Sequence, residues 1–214
     1  MTAQPPERKA HFEALYAANE DPWNVRGAWY ERRKRAVLLA SLARPHYRSV
    51  YEPGCGNGEM SAALALRCER LLASDGSPSA LAAARRRLQE GADPASTAPE
   101  RVRFEQLGLP DEWPADTRFD LVVISEFAYY LDAAALDDML QRARASLDDD
   151  GELVLCHYLH GFDDHITPTA TVHAMAGCLP GLVRTLHHRD ADFLLEAWQV
   201  APDSSSNASK GTPT

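Results

Sequence analysis

No stretch of this 214-residue chain stays apolar for the roughly 20 residues a helix needs to cross a bilayer. Its first residues lack the charged-then-apolar layout of a secretion signal. A cytoplasmic protein with no membrane partner is the expectation. Cysteine is sparse: Cys55, Cys68, Cys156 and Cys178 stand far apart, with no C-x-x-C pair. They read as reduced thiols and not as a disulfide framework. The eight histidines make no H-E-x-x-H set, and no metal is expected. Positive charge is also short, since 22 Lys and Arg against 31 Asp and Glu leave a net charge of −9. A phosphate-backbone partner wants a basic face, so nucleic acid is not an expected partner. The densest basic run, Arg32-Arg33-Lys34-Arg35, reads as a solvated helix face. Internal repeats are absent too.

What the chain does have is a legible alternation of strands and helices. Hydrophobic residues make up 45% and charged residues 25%, the balance of a globular protein with one α/β core. Residues 1–20 begin polar and turn into an amphipathic helix with Phe12, Leu15 and Tyr16 on one face. Asp21-Pro22-Trp23 is a turn, and a strong helix follows from Tyr30 to Ala43, ended by Pro45. A strand over 48–53 leads through a glycine turn into a helix from Gly58 to Arg67. A second strand fills 70–75, and Ser77-Pro78 opens a helix that reaches Gln89. Gly91 to Glu100 is a loop. Strands over 101–105, 119–125 and 151–158 follow, with a helix over 133–147 before the last. A short helix from Thr167 to Cys178 precedes two strands, 182–188 and 192–200, that pair antiparallel. The tail from Pro202 reads as disordered. This pattern fits a doubly wound α/β sheet, mostly parallel, with an antiparallel edge made by the C-terminal hairpin.

The most informative run is Val50-Tyr51-Glu52-Pro53-Gly54-Cys55-Gly56-Asn57-Gly58. Strand, glycine turn and helix in succession present backbone amides and a helix N-terminus to a ligand. Gly54 and Gly56 let the ligand approach the main chain, and Glu52 points toward the crevice at the strand ends. A dinucleotide site wants G-x-G-x-x-G, and Glu59 stands where its third glycine belongs. The pattern E-x-G-x-G-x-G resembles motif I of the class I S-adenosylmethionine (SAM) methyltransferases. A second strand supports that reading, because Arg70-Leu71-Leu72-Ala73-Ser74 ends in Asp75 about 20 residues past the glycines, where a carboxylate meets ribose hydroxyls.

A narrower resemblance lies elsewhere in the chain. Asp21-Pro22-Trp23, then Tyr30-Glu31 and Lys34, are similar to the N-terminal signature of the NodS-like N-methyltransferases. So are Pro110-Asp111-Glu112-Trp113-Pro114, the run Phe119 to Glu126 with Tyr129-Tyr130-Leu131, Gly151 through His157, Val172-His173 and Leu195-Glu196-Ala197-Trp198. The resemblance spans roughly residues 10–200 and implies the seven-stranded, Rossmann-like methyltransferase fold. It implies SAM as cofactor, with S-adenosylhomocysteine as product. The glycine loop (Gly54, Gly56, Gly58), Glu52 and Asp75-Gly76-Ser77 would hold it, with Gln106 and Leu107 beside the adenine. Ser125 and Glu126 would approach it from the fourth strand. Trp23, Tyr30 and Arg33 would come from a helical lid over 1–45, above a core over 46–201 and a tail over 202–214.

The loops after the fourth and fifth strands carry the reactive groups. Glu126 follows a buried strand, where an unpaired carboxylate would be costly without a task. His157 sits at the next strand end and should face the crevice. An amine attacks a methyl group only when neutral, so a base that takes its proton helps. His157 and Glu126 are the candidates to share the acceptor amine, and Tyr130 or Tyr129 to line the methyl channel or face the sulfonium. The expected function is N-methylation of an amine on a small molecule or amino sugar, by a monomer or homodimer. Two alternatives stay open: O-methylation of a small-molecule hydroxyl, and a SAM-binding sensor without catalysis.

Overall fold

The computed structural model describes residues 6–90 and 98–202. Most of the 91–100 loop and nearly all of the tail expected to be disordered lie outside those residues. Seven strands form one sheet: β1 (Tyr47–Pro53), β2 (Cys68–Asp75), β3 (Val102–Gln106), β4 (Phe119–Ser125), β5 (Leu147–Tyr158), β6 (Leu182–Arg189) and β7 (Phe193–Val200). Their order is β3-β2-β1-β4-β5-β7-β6. The helices are α1 (Pro6–Ala18), α2 (Trp29–Ser41), α3 (Glu59–Leu64), α4 (Pro78–Glu90), the one-turn α5 (Ala98–Arg101), α6 (Ala133–Ser146) and α7 (Thr169–Gly177). Single 3₁₀ turns at Ala65–Arg67 and Ala128–Tyr130 complete the set.

The central strands are apolar throughout, so both faces of the sheet must be covered. In β4, Leu121 and Val123 point to one layer and Val122 and Ile124 to the other. The first layer is closed by Leu38 and Leu42 of the α2 segment, Met60 and Leu64 of α3, and Leu81 and Leu88 of α4. The second is closed by Leu136, Met139 and Leu140 of α6 and by Val172 and Ala176 of α7. β1 pairs with β2 on one side and β4 on the other, all parallel. Chain order therefore reverses at β1, and the crevice beyond its carboxyl end is where open α/β sheets bind ligands.

The C-terminal hairpin forms as expected, but its placement refines the sequence reading. β7 runs antiparallel to both β5 and β6, so the reversed strand lies inside the sheet and β6 forms the edge. Composition explains this. Phe193 through Trp198 are buried without a break, whereas β6 has no buried residue, only half-buried and exposed ones, and carries Arg184, His187 and Arg189. Charged side chains blunt a sheet edge that would otherwise recruit another strand.

Gly58 shows how tightly the glycine turn is built into the first layer. It caps α3 at φ 79°, and a Cβ there would lie 2.7 Å from the Ala84 methyl on α4. Gly58→Ala should lower the unfolding free energy of the ligand-free protein by about 2–4 kcal/mol, from left-handed backbone strain plus overpacking. Urea unfolding followed by circular dichroism reads this directly, and an unchanged midpoint would sink the packing explanation.

Candidate functional site

A cavity of about 800 Å³ opens over the carboxyl ends of β1, β2, β4 and β5, with α1, the 19–28 segment and α2 above it. Of the residues expected at the site, Trp23, Tyr30, Glu52, Gly54, Gly56 and Asp75 line it. Gly76, Ser77, Leu107, Ser125, Glu126 and Tyr130 line it as well. Four do not. Gly58 is turned toward α4. Arg33 reaches Asp190 at 2.5 Å and lies over the Phe193 ring, on the side of the β6–β7 hairpin. Gln106, at the end of β3, donates from its amide to the Gly76 carbonyl, and its neighbour Leu107 lines the cavity instead. His157 is fully enclosed, and both its ring nitrogens are engaged by protein groups. The expectation that it faces the crevice is corrected by its burial beneath the Ala128–Tyr130 turn.

One half of the cavity is built from the glycine loop and the end of β2. Gly56 has φ 53°, and a Cβ on it would meet the Tyr16 hydroxyl of α1 at 2.4 Å. The Asp75 carboxylate accepts from the Gly56 amide at 3.0 Å and the Ser77 amide at 2.9 Å. Burial raises Asp75 above its ordinary value, and these amides pull it back. Glu52 accepts from the Ser61 hydroxyl at 2.5 Å. Burial pushes its carboxyl up to about 8, against the opposing pull of Ser61. Leu107, Leu109, Asp111 and Glu112 close this end.

The other half is aromatic, with Phe12, Tyr30, Tyr129, Tyr130, Tyr158 and Phe162 around it. Glu126 stands at its base with a left-handed φ of 55°. Its Oε1 accepts from the Tyr30 hydroxyl at 3.0 Å and from Lys34 Nζ at 2.7 Å. Its Oε2 accepts from the Tyr129 hydroxyl and from the Tyr158 amide at 3.2 Å. A carboxylate offers about four lone-pair positions, so these donors fill it. Lys34 also pairs with Glu31 at 2.8 Å. Glu31 and Lys34 both line the cavity, yet sequence reasoning gave them no role. The available signal was their i, i+3 spacing on a helix that also presents Tyr30. Burial raises Glu31 above the usual carboxylate range, partly offset by Lys34. Glu126 and Glu31 hold Lys34 firmly protonated despite its burial.

A methyltransferase-domain family model matches residues 50–151. A solved structure from Pseudomonas syringae, described as a candidate methyltransferase, is 42% identical. It covers 80% of this chain and 99% of its own, with a TM-score of 0.68. The chain belongs to the class I SAM-dependent methyltransferases. Part of the chain is also similar to nodulation proteins. Nodulation protein S of Rhizobium tropici is 34% identical over 115 residues, which is 53% of this chain and 44% of that protein. The chain spans roughly half the length of the curated relatives it matches. The N-methyltransferase NodS of Bradyrhizobium japonicum WM9, solved with S-adenosylhomocysteine, shares the fold. Its TM-score is 0.75 at 23% identity, over 90% of this chain and 97% of that one.

The residues of this methyltransferase fit the family's cofactor. Asp75 suits a ribose, the Leu107–Leu109 stretch an adenine, and Glu52 the ammonium of the methionine moiety. With its carboxyl pushed up to about 8, Glu52 should hold a proton at pH 7 until a ligand cation meets it. An ammonium alongside would replace that proton. S-adenosylhomocysteine binding at pH 7 should therefore release most of one proton per chain, read by calorimetry in buffers of different ionisation enthalpy. Glu52→Gln should abolish the release. Equal proton counts for the two proteins would refute the pairing. The sign for stability follows: a carboxyl raised in the fold disfavours the native state as pH climbs from 4.5 toward 8, so the empty protein should lose stability across that window and Glu52→Gln should not.

Proposed function

We propose that this protein transfers the SAM methyl group to the amine of a small molecule or amino sugar, and that the aromatic half of the cavity receives the acceptor. The observation that carries this reading is a charge imbalance. Glu31 and Glu126 share the ammonium of Lys34 between them, inside a ring of tyrosines that supplies π-faces and hydroxyls. An unneutralised carboxylate beside aromatic faces favours a cationic group over a neutral hydroxyl. A sugar ring also packs well on such faces. SAM supplies an activated methyl on a sulfonium, so the protein's task is alignment, exclusion of water and handling of one proton.

Roles follow from the contacts. Glu126 fixes Tyr30, Lys34 and Tyr129 in one arrangement, and its filled carboxylate leaves it a positioning residue in this reading. Glu31, with its raised proton affinity, takes the proton that the acceptor ammonium must lose before its nitrogen can attack. Tyr130 lines the passage between the two halves. O-methylation leans more heavily on a base, and His157, a candidate for that part, has its ring closed off from the cavity.

Label transfer from methyl-tritiated SAM to a panel of amines and their matched hydroxyl analogues tests this. Label should move to the amines, with amino sugars among the best. Glu31→Gln should lower kcat/KM for the amine by about 10²-fold, the low end of the usual range for loss of a general base. The variant's affinity for S-adenosylhomocysteine should stay within about twofold of wild type, a coupling of under roughly 0.4 kcal/mol. Equal or better labelling of the hydroxyl analogues would overturn the amine assignment.

A further inference from the structure

Beneath the Ala128–Tyr130 turn lies a row of buried polar groups that touches neither half of the cavity. The Ala128 amide donates to His157 Nε2 at 3.3 Å. His157 Nδ1 lies 3.1 Å from His173 Nε2 on α7, and His173 Nδ1 lies 2.9 Å from Glu196 Oε2 on β7. The other Glu196 oxygen meets His187 Nδ1 at 2.7 Å and Arg184 Nη1 at 2.8 Å, both on β6. His157, His173 and Glu196 are each at most 4% exposed, whereas His187 and Arg184 reach solvent.

The proton positions along this row can be worked out. A backbone N–H only donates, so His157 Nε2 must be bare. The neutral ring then carries its proton on Nδ1 and gives it to His173 Nε2, which must also be bare. His173 holds its proton on Nδ1 and donates it to the Glu196 carboxylate. One arrangement satisfies all three contacts, and an extra proton on either ring forces a hydrogen against a hydrogen. The row ends on a turn that needs holding. Glu126 has a left-handed φ, a conformation that persists in a non-glycine residue only when its surroundings fix it.

We propose that His157, His173 and Glu196 are positioning residues, whose single proton arrangement anchors the Ala128 amide and thereby sets the turn that presents Glu126 and Tyr129 to the acceptor half of the cavity. The purpose of the turn rests on the methyl-transfer reading; the anchoring does not. The groups facing the row are Tyr129 and Glu126 on the turn, Lys34 from α2, His165 from the loop before α7, and His187 and Arg184 from β6. Burial, then His173 and Lys34, pushes His157 well below the ordinary histidine value. Burial lowers His173 too, against the pull of Glu196. Both rings should stay neutral as the pH falls through the ordinary histidine range.

Nitrogen-15 NMR of the full-length protein, labelled at histidine, should show both rings neutral and protonated on Nδ1 at pH 7 and still so near pH 6. Hydrogen exchange supplies the second readout. In His173→Gln the amide oxygen accepts from His157 and the amide nitrogen donates to Glu196, so protection of residues 126–131 should be kept. In His173→Leu that segment should exchange at least about tenfold faster while the central strands keep their protection. S-adenosylhomocysteine affinity should change little in either variant. An Nε2 proton on His157, or equal protection in the Leu and wild-type proteins, would overturn the proposal. If His173→Leu does not fold, the wild-type tautomers and the Gln variant decide. No acceptor enters these measurements, so their failure and that of the amine reading are separable.

Discussion

The carboxylate of Glu126 is the junction on which the rest of the site depends. It leaves β4 in a left-handed conformation and gathers groups from three other elements: Tyr30 and Lys34 from α2, Tyr129 from the following turn and the Tyr158 amide from the end of β5. Breaking a buried pair by removing one partner strands the other charge, which is far more damaging than the pair is stabilising. The cluster therefore fixes geometry more than it adds stability. It is also a direct polar tie between α2 and the carboxyl end of the sheet.

A second tie works at the cofactor end. Glu59, which occupies the position that excludes a dinucleotide fingerprint, is buried at the start of α3 and gathers Arg26, Arg35 and Arg87. Three guanidinium groups hold its carboxylate below the usual range despite burial. Asp21 accepts from the Val25 and Arg26 amides and from the Asn57 side chain. Glu13 of α1 accepts from the Ser77 and Ser79 hydroxyls and the Ser79 amide at the start of α4. A helix N-terminus favours a carboxylate on both hydrogen-bond and dipole grounds. The residues before β1 are thus stitched to the glycine loop and to α4 by polar contacts, with Tyr16 packed against Trp23 beside them.

The fold and the cofactor half were legible because they rest on local rules. Glycines at alternate positions, an acid at each of two strand ends and apolar strands alternating with helices all follow from backbone geometry within a short window. Glu52, Gly54, Gly56 and Asp75 were found this way. The aromatic half was harder, because its residues meet only in the folded chain. Glu31 and Lys34 are separated from Glu126 by more than 90 residues, and no spacing rule links them. His157 shows the converse difficulty. Strand alternation says which face a residue takes, but not whether a turn will close over it. Arg33 and Gln106 sit one position from residues that do line the cavity, which on a helix or strand is enough to turn a side chain to another face.

The interior position of β7 bears on how the chain is made. β7 is the last strand among the described residues yet has neighbours on both sides, so β5 and β6 cannot be joined until residue 200 has been synthesised. Until then the growing chain presents the long apolar edge of β5 with no partner, the kind of edge that invites association with other strands. Sheet closure is therefore a late event by topology. Removing β7 would part β5 from β6 and open a seam one strand in from the edge, a different injury from trimming a margin.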